Sequence, residues 1–381
     1  MSKLIILGNG FDLRIGLKSK FSDFFEISEK PLIEELIFHR GGWINWDLIK
    51  DISFVSFLLY NAFFKETFKF PSKGNYVIVD TKKAFSEYFD LSHPPIDWMD
   101  VESFISCVIN SKNITKIEKT FDEFFKYKGY GDSFVVCQDD MISEFFSKSL
   151  NIKKYYDVKD FYDFFLKELH LFEERFSSYL KEQIAIVQDY NEKALKLISS
   201  LTSKKEDTTF LSFNYSNIES ISGIKCINVH GKLDSEIVIG IDQKGIEENA
   251  LPFTKTFRKL VFRENAPVLT KKYDYIVIYG HSLGEQDYSY FQSIFDFLDI
   301  YNSNTVIKYV YSDYFIEENH TQNANAKNRH RICMARKLFK LLRDYGQTLN
   351  NKDNGQNLIH KMLLENRLVL ELDNFEELGD I

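Results

Sequence analysis

Lys3-Leu4-Ile5-Ile6-Leu7-Gly8-Asn9-Gly10-Phe11-Asp12 is the stretch on which the reading of this chain turns. Lys3 to Leu7 is a short aliphatic run, and a run of this kind without polar alternation predicts a buried strand. Gly8-Asn9-Gly10 closes it, and the residues that follow predict a helix. Strand, glycine turn and helix in that order is the context in which backbone N–H groups cradle a phosphate. The usual dinucleotide fingerprint is not met, because Leu13 stands at the third glycine position and Gly16 comes three residues late. Two glycines after a strand also serve simply as a tight turn.

Outward from this stretch the pattern becomes helical. Phe21, Phe24 and Phe25 share one stripe, and Leu32, Leu36 and Ile37 the next. Asp132 to Ser222 contains neither glycine nor proline. Within it Phe161, Phe165, Leu169, Phe172, Phe176, Leu180, Ile184 and Val187 recur at three- and four-residue spacing, which predicts one long helix or two in tandem. Past Lys204-Lys205-Glu206-Asp207 the texture changes to strand-like runs at Thr208–Phe213, Lys225–Val229, Ile237–Ile241, Tyr275–Tyr279 and Thr305–Tyr311. The first four run into Asn214-Tyr215-Ser216-Asn217, His230-Gly231, Asp242-Gln243-Lys244-Gly245 and Gly280-His281-Ser282. Polar turns at strand C-terminal ends are where open α/β sheets place ligands. The architecture expected is therefore α/β and Rossmann-like, with a mostly parallel sheet built from residues 1–30 and 205–312. A large helical insertion fills 31–204, and a mostly helical C-terminal segment runs over 313–381.

The 381 residues carry 48 Lys+Arg against 56 Asp+Glu, a net charge of −8, with 44% hydrophobic and 27% charged residues. That balance excludes a largely disordered chain and lacks the global basicity of nonspecific nucleic-acid binders. Lys327, Arg329, Arg331, Arg336, Lys337, Lys340 and Arg343 form a basic run, read here as a solvated helix face because aromatics do not alternate with the charges. Nucleic acid is accordingly not an expected partner. With 36 Phe and 21 Tyr but 6 Pro and 17 Gly, a helix-rich body with bulky packing is expected. No run of 18 apolar residues predicts a membrane span, and the opening stretch is too short for a signal-peptide core. Cys107, Cys137, Cys226 and Cys333 form no CxxC pair, so neither a zinc ribbon nor a disulfide scaffold is expected. The reading is a cytoplasmic protein without a metal.

Three constellations carry chemistry. Gly280-His281-Ser282-Leu283-Gly284 matches the nucleophile elbow of α/β-hydrolases and follows a strand, as that motif requires. An elbow's helix starts at the serine, whereas Glu285-Gln286-Asp287 here reads as a turn ending in an N-cap before a helix from Tyr288. A triad would draw on Asp313 with His320 or His330, in very polar surroundings. The second constellation is Asn214 and His230, one at the end of each of two consecutive strands; either alone reads as a turn-former or a structural histidine. The third is Asp234 with Asp242-Gln243-Lys244, a cramped version of a metal-dependent nuclease pattern.

Taken together, Gly8-Asn9-Gly10-Phe11-Asp12-Leu13, Gly16-Leu17, Ser22-Asp23-Phe24, Trp98 with Glu102, Phe213-Asn214-Tyr215, His230-Gly231 and Gly280-His281-Ser282-Leu283-Gly284 with Asp287 resemble the bacterial AbiH family of phage abortive-infection proteins. The order of these motifs is also similar to a diverged sirtuin-like NAD-binding domain. That resemblance implies a role at the pyrophosphate for Gly8 and Gly10, and Asn9 and Asp12 of the same stretch are further cofactor-binding candidates. It implies a role at the nicotinamide ribose for Asn214, at the chemistry for His230, and at phosphate or the second ribose for Gly280 with Ser282; Asp287 is a further cofactor-binding candidate. The zinc module of protein deacylases is missing and Gly-Asn-Gly replaces Gly-Ala-Gly, so acyl-lysine chemistry is not implied.

The residue types suit cleavage of the nicotinamide–ribose bond. Positive charge of the oxocarbenium kind builds on the ribose, as in glycosidases, while a neutral pyridine leaves without a general acid. An Asn can orient a ribose hydroxyl or water, and a His near neutral pKa can accept the proton. Asp12 and Asp287 are accessory carboxylates or helix caps. The expected function is an antiphage NAD⁺ glycohydrolase, restrained until a phage-derived trigger protein arrives, with homo-oligomerisation compatible. The alternatives are a serine esterase using the Gly280–Gly284 turn, a metal-dependent nuclease, and a non-catalytic nucleotide sensor.

Overall fold

The structure, a computed structural model, describes the chain apart from residues 38–44, 64–66, 73–74, 81–100, 110–117, 119–140, 156, 203–206, 263–266, 268, 313–323, 351 and 374–381. Trp98, Cys137, Asp313 and His320 lie outside the described residues. The described strands are β1 (Ser2–Leu7), β2 (Thr67–Ser72), β3 (Asn75–Asp80), β4 (Asp207–Ser212), β5 (Cys226–Asn228), β6 (Tyr275–Tyr279), β7 (Val306–Tyr311) and β8 (Leu368–Leu372). Two compact units are formed. The first comprises Met1–Ser19, Leu180–Val238 and Phe262–Ile381; the second comprises Lys20–Tyr179 and Ile239–Val261.

The first unit is built on a six-stranded sheet ordered β5-β4-β1-β6-β7-β8, with every pair parallel. Counting only the strands of this sheet along the chain, the order is 3-2-1-4-5-6, the doubly wound order of dinucleotide-binding folds. β1 lies centrally, and Leu4, Ile5, Ile6 and Leu7 are all 0% exposed, which is why this strand shows no polar alternation. Successive side chains leave a strand on opposite faces. Leu4 and Ile6 accordingly join Phe291, Phe295, Leu338, Leu342, Leu358 and Met362 under helices Tyr288–Leu298, Ala324–Gly346 and Lys352–Leu364. Ile5 and Leu7 join Tyr190, Ala194, Leu197 and Ile198 of helix Tyr190–Leu201 on the other face. That helix, placed in the insertion by the sequence, thus packs on the sheet.

The strands differ from the sequence expectation at both ends of this region. Ile237–Ile241 is not a strand; it makes only isolated bridges, Gly231 with Ile237 and Ile241 with Thr254. Its backbone donors go elsewhere. Val238 N–H donates to the His230 carbonyl at 2.8 Å, and Ile239 N–H to the Glu173 carboxylate at 2.6 Å, so no ladder can form. Conversely, the C-terminal segment is not only helical, since β8 pairs parallel with β7 and extends the sheet.

The second unit is helical, with the antiparallel hairpin β2–β3. Its aromatic residues pack as rings against rings: Phe24 meets Phe172 at 5.5 Å and Phe176 at 5.2 Å, and Phe57 stacks on Phe145 at 4.6 Å. Buried carboxylates are paired, as burial demands. Glu29 meets Arg175, Glu168 meets Lys153, and Glu173 is gripped by both Nη atoms of Arg258. Glu102 pairs with Lys255 at 2.7 Å.

Candidate functional site

A doubly wound sheet opens a crevice where the strand order reverses. Here the reversal falls between β1 and β6, and the turns after these strands are Gly8-Asn9-Gly10 and Gly280-His281. They touch backbone to backbone. Gly8 N–H donates to the Tyr279 carbonyl at 2.9 Å, and Gly10 N–H to the Gly280 carbonyl at 2.8 Å. A Cβ at Gly8 would sit 2.2 Å from His281 Cα, and one at Gly10 would sit 2.6 Å from Gly280 Cα. Gly280 itself has φ +62, a left-handed value that favours glycine. The N–H groups of Gly8 and Gly10 are therefore engaged within the protein, and both glycines are required by the close crossing. Asn9 is likewise committed, its Nδ2 donating to the Ser19 carbonyl and its Oδ1 accepting from Ser19 Oγ.

The turn after β4 is pinned to this crossing. Asn214 Nδ2 donates to the Gly8 carbonyl at 2.9 Å, and Asn228 Nδ2 donates to the carbonyls of Asn214 and Ser216 at 2.7 and 3.0 Å. Among the described residues Asn214 Oδ1 takes no hydrogen bond. His230 follows β5, and Gly231 beside it has φ +80 with the Glu236 carbonyl where a Cβ would be. His230 Nε2 lies 3.3 Å from Asp287 Oδ1, and His281 Nε2 lies 3.5 Å from Asp287 Oδ2. One carboxylate thus stands between two imidazoles. All three side chains are buried, and the Phe213 ring meets both imidazoles edge-on, at 5.3 Å and 4.5 Å. Asp287, an accessory carboxylate or helix cap in the sequence reading, stands at the N-cap position of helix Tyr288–Leu298 but makes no side-chain capping bond.

Asp12 is no cap either. It sits inside helix Gly10–Arg14, where Oδ1 accepts from the Tyr190 hydroxyl at 3.0 Å and Oδ2 from Ser216 Oγ at 3.1 Å. Burial pushes its carboxyl up to about 6, against the pull of the two hydroxyl donors. A raised carboxyl favours the folded state while protonated. Its contribution is fully present below about pH 4 and is lost as pH rises through about 6, a change of about 2–3 kcal/mol. Asp12→Asn is therefore expected to gain melting temperature relative to wild type as pH rises from 4 to 7. A difference flat across that range would refute this account of Asp12.

Ser282 is exposed, and among the described residues it is not hydrogen-bonded to His230 or His281. The left-handed residues of its turn are Gly280 and Leu283, and the helix begins only at Tyr288, after a short 3-10 turn over Glu285–Asp287. A nucleophile elbow needs the serine at the strained strand-to-helix corner with a base in reach. Fluorophosphonate probes are expected to leave Ser282 unlabelled, and Ser282→Ala to raise KM for a nucleotide without lowering kcat. Stoichiometric labelling would reinstate the hydrolase alternative.

Of the nuclease pattern, Asp234 is held by Asn217, while Asp242 accepts from the backbone N–H of Lys244. Among the described residues no group of three His, Cys, Asp or Glu is placed to hold a metal ion. His281 shows why its own cluster is not one. Its Nδ1 accepts from Leu283 N–H at 2.9 Å, so in the neutral ring Nε2 carries the proton and has no lone pair for a metal. No described helix is long and apolar enough to cross a membrane.

His281 is the residue sequence reasoning missed, since it was read only as part of the elbow. Phe213, Ser216, Asn228 and Tyr190 carry no role in the sequence reading, because each acts through partners outside its own local segment.

These features define a doubly wound, Rossmann-like α/β protein with a helical insertion and a buried histidine–carboxylate–histidine centre at the switch point of its sheet. The chain belongs to the bacteriophage abortive infection AbiH family, whose model matches residues 4–309. Its role accordingly lies in phage abortive infection. No curated protein and no solved structure matches the chain.

Proposed function

We propose that this AbiH protein acts in abortive infection by hydrolysing NAD⁺ to nicotinamide and ADP-ribose. The observation that carries this reading is the placement of Asn214, bound to the Gly8 carbonyl, and of His230, faced by Asp287, just past the neighbouring strands β4 and β5 of a sheet in dinucleotide-binding order. The sirtuin-like resemblance of the motif order supports the same substrate.

In this reading the bond between nicotinamide and ribose C1′ breaks, its electron pair passing to the pyridinium nitrogen. Water adds to C1′ and gives its proton to His230. Asn214 Oδ1 orients the water or a ribose hydroxyl, and Asp287 holds the His230 ring and steadies its charge as it protonates. Gly8, Gly10 and Gly280 shape the floor beneath the substrate, and Ser282 offers a hydroxyl to phosphate or the second ribose. His230 and Asn214 are each only 4% exposed, which supports a site restrained until a phage-derived trigger opens it.

The test is incubation of the purified protein, alone and with lysate of infected cells, with NAD⁺, NADP⁺, a p-nitrophenyl ester, and DNA or RNA with and without Mg²⁺. Nicotinamide release is expected, with no ester or nucleic-acid cleavage. Absence of nicotinamide under every condition refutes the proposal.

A further inference from the structure

The reaction above gives His281 no task, yet both its ring and its main chain are held in place. The ring is buried, and its main-chain carbonyl accepts from the Tyr309 hydroxyl at 2.7 Å. Nδ1 accepts from the N–H of Leu283, a residue held at φ +54. The neutral ring is thereby fixed as the Nε2–H tautomer, and Nε2 lies 3.5 Å from Asp287 Oδ2. The opposite carboxylate oxygen lies 3.3 Å from His230 Nε2.

We propose that His281 is a positioning residue that shares the Asp287 carboxylate with His230 and so keeps His230 able to take up a proton. This rests on the reading of His230 as the base. The physical need is clear. A buried carboxylate beside a single imidazole favours the charged ring and raises its pKa by about 1–3 units. A base driven that far stays protonated and accepts nothing. A second donor on the same carboxylate divides its charge and fixes its orientation. Asp287, the Phe213 ring and the Tyr290 ring at 5.8 Å face His230, and of these three the carboxylate is the titratable acid closest to the ring.

Two substitutions separate positioning from scaffolding. His281→Asn keeps an acceptor near Nδ1 for Leu283 N–H but loses the donor to Asp287. His281→Gln keeps a donor near Nε2 but loses that acceptor. In full-length protein labelled with ¹⁵N- and ¹³C-histidine, His281 is expected to titrate as the Nε2–H tautomer. The His230 midpoint should rise by about one unit in His281→Asn and stay at the wild-type value in His281→Gln. The acidic limb of the pH profile of nicotinamide release should move with it, with KM unchanged. Asp287→Asn should lower the midpoint. A wild-type His281 protonated on Nδ1, or equal midpoints in the Asn and Gln variants, overturns the proposal. The wild-type tautomer needs no variant to fold. The titrations need no activity, so failure of the NAD⁺ reading is told apart from failure of this one.

Discussion

His230→Ala and Asn214→Ala are each expected to remain folded, to bind NAD⁺ measurably, and to lose both nicotinamide release and protection against phage. Removing a general base costs ~10²–10⁴ in rate, and removing one oriented polar group at a site of developing charge costs ~10²–10³. The structural cost is smaller. Asn214→Ala forfeits the Nδ2 bond to the Gly8 carbonyl, a loss on the order of 1 kcal/mol from a net hydrogen-bond contribution. The two effects should be far from additive, because both groups serve one step. Cys226→Ala is the control: this thiol lies buried on β5, is pushed up to about 12 by burial, and is inert as a nucleophile at neutral pH. Turnover is read by chromatography of nicotinamide, folding by melting temperature, and protection by plaque counts. Full NAD⁺ loss on infection in cells carrying the double substitution would sink the assignment.

Gly8→Ala is expected to have the largest effect on stability. The added Cβ would lie 2.2 Å from His281 Cα, and this atom cannot rotate away as a flexible side chain would. The β1 and β6 turns must then separate, breaking the Gly8–Tyr279 and Gly10–Gly280 hydrogen bonds and displacing His281 from Asp287. Overpacking of this kind costs about 3 kcal/mol or more, roughly 6–12 °C of melting temperature in a unit of this size. Gly284→Ala is the contrast, because only Ser282 Oγ comes near, at 3.7 Å, and it should leave the melting temperature nearly unchanged. Equal melting temperatures for the two variants would remove the close-packing account of Gly8.

Much of the fold was legible because strand and helix signals are local. Lys3–Leu7 declared its burial on both faces by having no polar alternation, and the spacing from Phe161 to Val187 announced the helix found at Phe161–Ile186. Asn214 and His230 were legible as polar residues just past such strands. Ile237–Ile241 misled for the same reason: its composition is that of a strand, but the His230 carbonyl and the Glu173 carboxylate take its N–H groups. Strand-forming residues make a strand only when a partner backbone is available.

What the sequence by itself determined is the strands β1, β4, β5, β6 and β7, the helical insertion and the positions at which polar turns follow β1, β4, β5 and β6. The tertiary structure alone decided which of those turns touch. β8 joined the sheet from beyond two helices, and Asp287, which locally reads as a helix cap, was turned toward two histidines, one of them 57 positions away in the chain. Local patterns record how a segment buries its own side chains. The shared carboxylate of His230 and His281 depends on strand order, and strand order is set by contacts between segments hundreds of residues apart.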